Sequence, residues 1–261
     1  MIKKFLLRLY NFPFLSKEKT DANQKKIRDI EWDAVKAFIP AGSEFIDVGC
    51  GAGYALRRAV TELKCRGAGI DPRPGEHGVG RYNKEKCNDL NVVKGVSENI
   101  PFADESFDVV YSSHVLEHVD DEQKALLEMK RILKPYGILI IGMPTAAMAW
   151  VNFFTNILFT THMRVFNVIL KLFPFIKKGE TKFINMFIPG SHSSERANTV
   201  FYDIKHYRVA NWKKTTELFF RVEETLLPAF YPYPEFLQLF KMKKYKNISS
   251  SVFFICKKKS T

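Results

Sequence analysis

The stretch Phe45-Ile46-Asp47-Val48-Gly49-Cys50-Gly51-Ala52-Gly53 decides how this chain reads. With Glu44, its first half is a short apolar run that predicts a strand over 44–48, and its second half is a glycine-rich turn. Leu56, Ala59, Val60 and Leu63 then recur at helical spacing. Glycines at such a turn let the backbone bend sharply and let a ligand come close. The start of the following helix offers unpaired N–H groups. In an open parallel sheet, ligands bind beyond the carboxyl ends of the strands, where the strand order reverses. The spacing here is GxGxG, not the GxGxxG that accompanies a dinucleotide pyrophosphate. Asp47 stands just before the first glycine, where a carboxylate would repel phosphate but suit an ammonium group. Asp71 closes a second predicted strand, 68–71, and an acid there can accept from ribose hydroxyls. The pair describes a ligand with an amine and a ribose but no phosphate.

Outward from this turn, apolar runs over 91–94, 107–112 and 138–142 predict three more strands, and weaker patterns over 220–227 and 251–256 predict two at the end of the chain. The first five are nearly all apolar and alternate with helical patterns, which indicates a parallel sheet covered on both faces. Gly67 is expected to end the first of these helices in a left-handed conformation. Asp120 is expected to cap the helix that carries Ala125, Leu126, Met129, Ile132 and Leu133, with Gln123 completing a capping box. Pro72, Pro74, Gly75, Gly78 and Gly80 argue against a long helix over 72–90. Upstream of the turn, Ile27, Ile30, Ala34, Val35 and Phe38 predict a helix over 22–38.

Of 261 residues, 46% are hydrophobic, which is enough for a core and excludes global disorder. The net charge of +12 favours anionic partners or surfaces. Cys50, Cys65, Cys87 and Cys256 show no metal-ligand spacing, so free thiols and no metal are expected. Residues 1–14 are aromatic and basic and suit either an amphipathic segment on a membrane or an arm packed on its own domain. No small-residue cleavage site follows, so no secretory leader is expected. Residues 146–176 are rich in Phe, Ile, Leu and Trp. There Asn152, Thr155, Asn156 and Thr160 share one side at helical spacing, and Trp150, Phe154, Ile157, Leu158, Val165 and Ile169 share the other. This reads as amphipathic helices and not a span.

FIDVGCGAG, GIDP, GVSENIPFADESFDVV, HVLEHV and LKPYGILIIGMP, in this order and spacing, resemble the class I S-adenosylmethionine-dependent methyltransferases. The likeness is to the broad bacterial small-molecule group called methyltransferase type 11, over about residues 40–145. It implies an α/β fold: a Rossmann-like, doubly wound, seven-stranded and mostly parallel sheet with a helical insertion after strand five. The chain then divides into an N-terminal arm and helix (1–39), an S-adenosylmethionine-binding core (40–145), a hydrophobic insertion or lid (146–200), and a C-terminal helix with the final strands (201–261).

The resemblance also implies roles. The turn of Gly49, Cys50, Gly51 and Gly53 would follow the methionine part of the cofactor, with Asp47 near its amino end. Asp71 would bind the ribose, and Ser97 and Glu98 would flank the adenine. Ser113 and His114 would stand near the sulfonium. Val96 occupies a position where relatives usually carry an acid. If the acceptor needs a base, His114 and then His206, in a His-x-Arg stretch before the last helix, are the candidates. Glu117 and His118 read as structural. The expected activity is in-line methyl transfer to a small-molecule or lipid-linked acceptor, such as a surface-glycan precursor or a quinone-type ring. The expected place is the cytoplasm, with contact to the anionic inner membrane surface. The rival readings are a nucleic-acid methyltransferase, disfavoured by the absence of an RNA-binding module, and a non-catalytic cofactor-binding partner subunit.

Overall fold

The computed structural model describes residues 17–80, 89–155, 157, 200–234, 237 and 241–259. Its frame is a seven-stranded sheet of order β3-β2-β1-β4-β5-β7-β6. The strands are β1 (Glu44–Val48), β2 (Arg66–Asp71), β3 (Val92–Lys94), β4 (Phe107–Ser113), β5 (Leu133–Pro144), β6 (Phe220–Leu226) and β7 (Ser251–Lys258). β1 to β5 are parallel neighbours, and β7 runs antiparallel to both β5 and β6. The strand order reverses between β1 and β4, so the ends of these two strands open a crevice at the carboxyl edge.

Two apolar clusters cover the two faces of the sheet. One gathers Ile46, Val48, Val110 and Leu139 with Leu126 and Met129 of α3 (Glu122–Ile132). The other gathers Phe45, Val109 and Tyr111 with Leu56 of α2 (Tyr54–Leu63) and Trp32 of α1 (Lys17–Val35). Trp32 meets Phe45 and Tyr111 edge-on at centroid distances of 6.5 and 6.0 Å. Burying side chains of this size stabilises by roughly 1.5–3 kcal/mol each. α1 is therefore held firmly against the sheet. Its outer side is tied to α2, where Arg58 pairs with Asp29 at 3.0 Å and Trp32 donates to Glu62 at 3.1 Å.

Several local expectations are corrected. Gly67 lies inside β2, and the left-handed residue after α2 is Lys64, at φ 57°. Gly67 is a glycine for want of space, because a Cβ there would sit 2.5 Å from Leu56 Cδ1. α3 is capped by Asp121, not Asp120, and the Asp121 side chain accepts from Gln123 N and Lys124 N at 3.0 Å. α3 also passes directly into β5, which begins at Leu133, ahead of the expected strand over 138–142, and has a register irregularity against β4. The C-terminal part carries two short helices, α4 (Val200–His206) and α5 (Val209–Thr216), where one was expected. They anchor the end of β5: Ala146 N donates to Tyr207 O and Trp212 Nε1 to Pro144 O. Residues 146–155 are helical. The expectations for 1–14, 156 and 158–199 lie outside the described residues, as does Cys87. Cys50, Cys65 and Cys256 are buried and form no disulfide among the described residues.

Candidate active site

A cavity of about 560 Å³ opens at the carboxyl edge where β1, β2 and β4 end. Asp47, Gly49, Cys50, Gly51 and Asp71 line its sheet side, and Ser113 and His114 line it beyond β4. These are seven of the residues the sequence singled out, and they come from three strand ends. Gly53 closes the turn at φ 77° as the residue before α2. Ser97 and Glu98 are hydrogen-bonded to each other at 3.0 Å, with Glu98 also accepting from Asp120 N, and neither lines the cavity. His206 lies outside the lining as well, stacked on Tyr202 at 3.9 Å.

The turn is built by close approach. Gly49, at φ 79°, leaves room for Val115, since a Cβ on it would fall 2.2 Å from Val115 Cγ2. Gly51 is covered by the loop after β2. Gly75 N donates to Gly51 O and Ala52 N to His77 O, each at 2.9 Å. The same loop is fastened to α1, where Gly80 N donates to Asp21 Oδ1 at 2.9 Å. Irregular backbone over 72–80 thus forms a roof over the glycine turn.

The two acids differ in their surroundings. Asp71 accepts Gly51 N at 2.9 Å through Oδ2 and Arg73 N at 2.7 Å through Oδ1, so it shapes the turn while facing the cavity. Each carboxylate oxygen has a second acceptor site for a ligand hydroxyl. Asp47 is 3% exposed. Burial pushes its carboxyl up to about 7; a backbone N–H offsets part of this, the nearby Asp71 charge adds to it, and the Arg28 charge offsets a smaller part. Arg28 therefore offsets the buried charge only in part, and a cationic ligand would supply the rest.

α1 contributes a wall that the sequence reading missed. Gln24 and Arg28 line the cavity. Glu31, one turn further, is fully buried and accepts from Arg28, from Tyr231 Oη at 2.5 Å and from His114 Nε2 at 3.1 Å. Burial alone would raise the Glu31 carboxyl. The Arg28 charge, then that of His114, outweighs burial and holds it well below the usual carboxylate range. His114 Nδ1 faces the buried Glu117 at 3.5 Å. For His114, burial and Arg28 push downward, but Glu31 and Glu117 outweigh them and its pKa is raised. The residue sits at φ 57°, a region costly for a residue with a Cβ, and its N–H is pinned to Gly142 O at 2.8 Å. The spacing of Gln24, Arg28 and Glu31 on one helical side was the available signal. Nothing in the sequence said that this side faces the turn.

A glycine turn with flanking acids, at the switch point of a sheet whose seventh strand is antiparallel, defines a class I methyltransferase-type fold. Residues 46–141 match the family described as "Methyltransferase domain". Over this stretch the chain is similar to the class I S-adenosylmethionine-dependent methyltransferases, and the cofactor of that family is S-adenosylmethionine. An uncharacterized methyltransferase of Mycolicibacterium paratuberculosis is 34% identical over 112 residues, 42% of this chain and 43% of the relative. A demethylmenaquinone methyltransferase of Staphylococcus haemolyticus is 35% identical over 105 residues, 39% and 44% of the two chains. The matches span less than half of these relatives. Among solved structures, an S-adenosylmethionine-dependent methyltransferase of Thermotoga maritima superposes with TM-score 0.56 at 20% identity, covering 93% of this chain and 94% of the other. One from Mesorhizobium loti gives 0.54 at 16%, covering 87% and 97%. At such identities the likeness carries the fold.

Proposed function

We propose that this protein transfers the methyl group of S-adenosylmethionine to a small-molecule or lipid-linked acceptor. The observation that carries the reading is the acid pair on the cavity floor. Asp47 is buried with its charge only partly offset by Arg28, and Asp71 is held at the glycine turn with acceptor capacity to spare. An ammonium on Asp47 and ribose hydroxyls on Asp71 satisfy both.

When bound, the cofactor supplies a methyl group already activated by its sulfonium. The chain's share is to bind, align and exclude water. Gly49 and Gly51 admit the methionine part under the 72–80 roof. Tyr111, Ser113, His114 and Val115 wall the reacting end. In this proposal His114 belongs to the wall at the reacting end, and His206 stands outside the cavity. Ser97 and Glu98 remain the proposed flank of the adenine.

The acceptor reading comes from two directions. One relative is named as a demethylmenaquinone methyltransferase, which favours a quinone-type ring. The helical segment 146–155 turns Trp150 and Phe154 outward, at 43% and 60% exposure, on a chain of net charge +12. Aromatic surface with positive charge suits an anionic membrane, where such an acceptor or a lipid-linked glycan resides. Among the described residues no helix is long and apolar enough to cross a membrane.

Calorimetric titration with S-adenosylmethionine tests the reading, and absence of binding at millimolar cofactor would sink it. Asp71→Ala is expected to weaken binding about 100-fold, as loss of charged hydrogen bonds to two hydroxyls would do.

A further inference from the structure

We propose that His118 takes the proton released by the methyl acceptor, with buried Glu117 orienting it and His114 holding Glu117 in place. This rests on the methyl-transfer reading above. The observation is a continuous row of side chains in which Arg28, His114 and His118 line the cavity while Glu31 and Glu117 are buried behind them. Glu117 is fully buried, and its Oε1 lies 3.5 Å from His114 Nδ1 and 4.0 Å from His118 Nε2.

The two imidazoles beside this carboxylate have different surroundings. His114 is 9% exposed, and both ring nitrogens face carboxylates, Glu31 at 3.1 Å and Glu117 at 3.5 Å. A neutral ring would have to point a lone pair at one of them. The contacts fit a ring protonated on both nitrogens, which has no lone pair for a further proton. His118 is 41% exposed and lines the same cavity as Asp47 and Gly49. A carboxylate behind an accessible imidazole fixes the ring and stabilises the cation formed on proton uptake. The 4.0 Å separation is longer than a hydrogen bond, and contacts of this kind tighten when substrate binds.

The step balances. The bond between the proton and the acceptor's nucleophilic atom breaks, and that electron pair forms the new bond to the methyl carbon. The pair of the broken sulfur–methyl bond stays on sulfur, and the proton lands on the His118 nitrogen turned away from Glu117. The positive charge lost at sulfur reappears on His118. The acceptor is thus of a class that carries a proton on its nucleophile, such as a phenolic hydroxyl, and not a carboxylate. Glu31 and His114 act through Glu117 and are positioning residues.

The test uses the full chain with S-adenosylmethionine as probe and needs no acceptor. Nitrogen-15 NMR of labelled histidines, assigned with His118→Gln, is expected to show both His114 ring nitrogens protonated at neutral pH. It should also show the His118 ring signals moving on addition of cofactor. Diethylpyrocarbonate, which reacts with an imidazole lone pair, should modify His118 well before His114. Saturating cofactor should slow that modification by about tenfold. A bare nitrogen on His114, equal modification of the two rings, or His118 signals that stay still while calorimetry shows cofactor bound would each overturn the assignment. A chain that binds no cofactor at all would fail at the earlier reading instead.

Discussion

The carboxyl edge of the sheet and the helical segment 146–155 treat polarity in opposite ways. At the edge, charged side chains are buried and meet one another: Glu31 with Arg28, Tyr231 and His114, and Asp71 with two backbone N–H groups. On the helix, Asn152 and Thr155 face inward at 4% and 5% exposure, while Trp150, Phe154 and Ile157 face outward at 43%, 60% and 37%. Trp150 and Phe154 stack on each other at 5.8 Å, and Phe153 reaches Phe201 at 5.8 Å. The difference shows what helical periodicity can and cannot say. It reports which residues share a face. Which face turns inward is decided by the surface the helix meets.

Glu31→Gln tests the edge hardest. Removing the carboxylate leaves Arg28 and His114 without their shared partner in a buried setting, at a cost of roughly 3–5 kcal/mol. The melting temperature should fall by about 10 °C or more. A fall of a degree or two would mean that the clamp is slack.

Asp47→Asn should act in the other direction. The folded-state carboxyl is raised to about 7, so the ligand-free fold holds a proton that the unfolded chain gives up from about pH 4 onward. Stability is therefore lost as pH rises through that window, by on the order of a few kcal/mol above it. Asparagine has no such loss. Thermal melts should show the variant more stable than the parent at pH 8 and equal to it near pH 4, with cofactor binding weakened. A variant less stable at pH 8 would show that Asp47 already has its countercharge within the fold.

The smallest expected effect belongs to the helix. The double change Trp150→Ser, Phe154→Ser should alter folding stability by about 0.5 kcal/mol at most, as exposed positions do. Flotation with phosphatidylglycerol vesicles should nevertheless drop severalfold. A collapse in melting temperature would instead show that these rings pack against the chain itself.

The parts legible in the sequence are those whose chemistry is local. Asp47 and the glycines occupy one short stretch, and Asp71 ends the next strand, so spacing alone placed them on one edge. The strands were legible because a sheet covered on both faces demands nearly unbroken apolar runs. Gly67 was misread because a glycine needed for clearance looks the same in sequence as one needed for a left-handed turn. The wall from α1 was invisible for a different reason. Glu31 finds His114 83 positions away and Tyr231 200 positions away, and no periodicity encodes such meetings. His118 read as structural because its neighbour in sequence, Glu117, gives no sign of being buried beside a cavity.

The Tyr231–Glu31 hydrogen bond also has a consequence for the order of events during synthesis. A ribosome delivers the glycine turn, both acids and all five parallel strands long before it reaches residue 231. Until then Glu31 lacks one of its three donors, and the wall opposite the turn lacks its C-terminal support. β7, which closes the sheet against β5, arrives later still. The cluster around Glu31 is therefore completed only after the C-terminal part of the chain has been made and has docked.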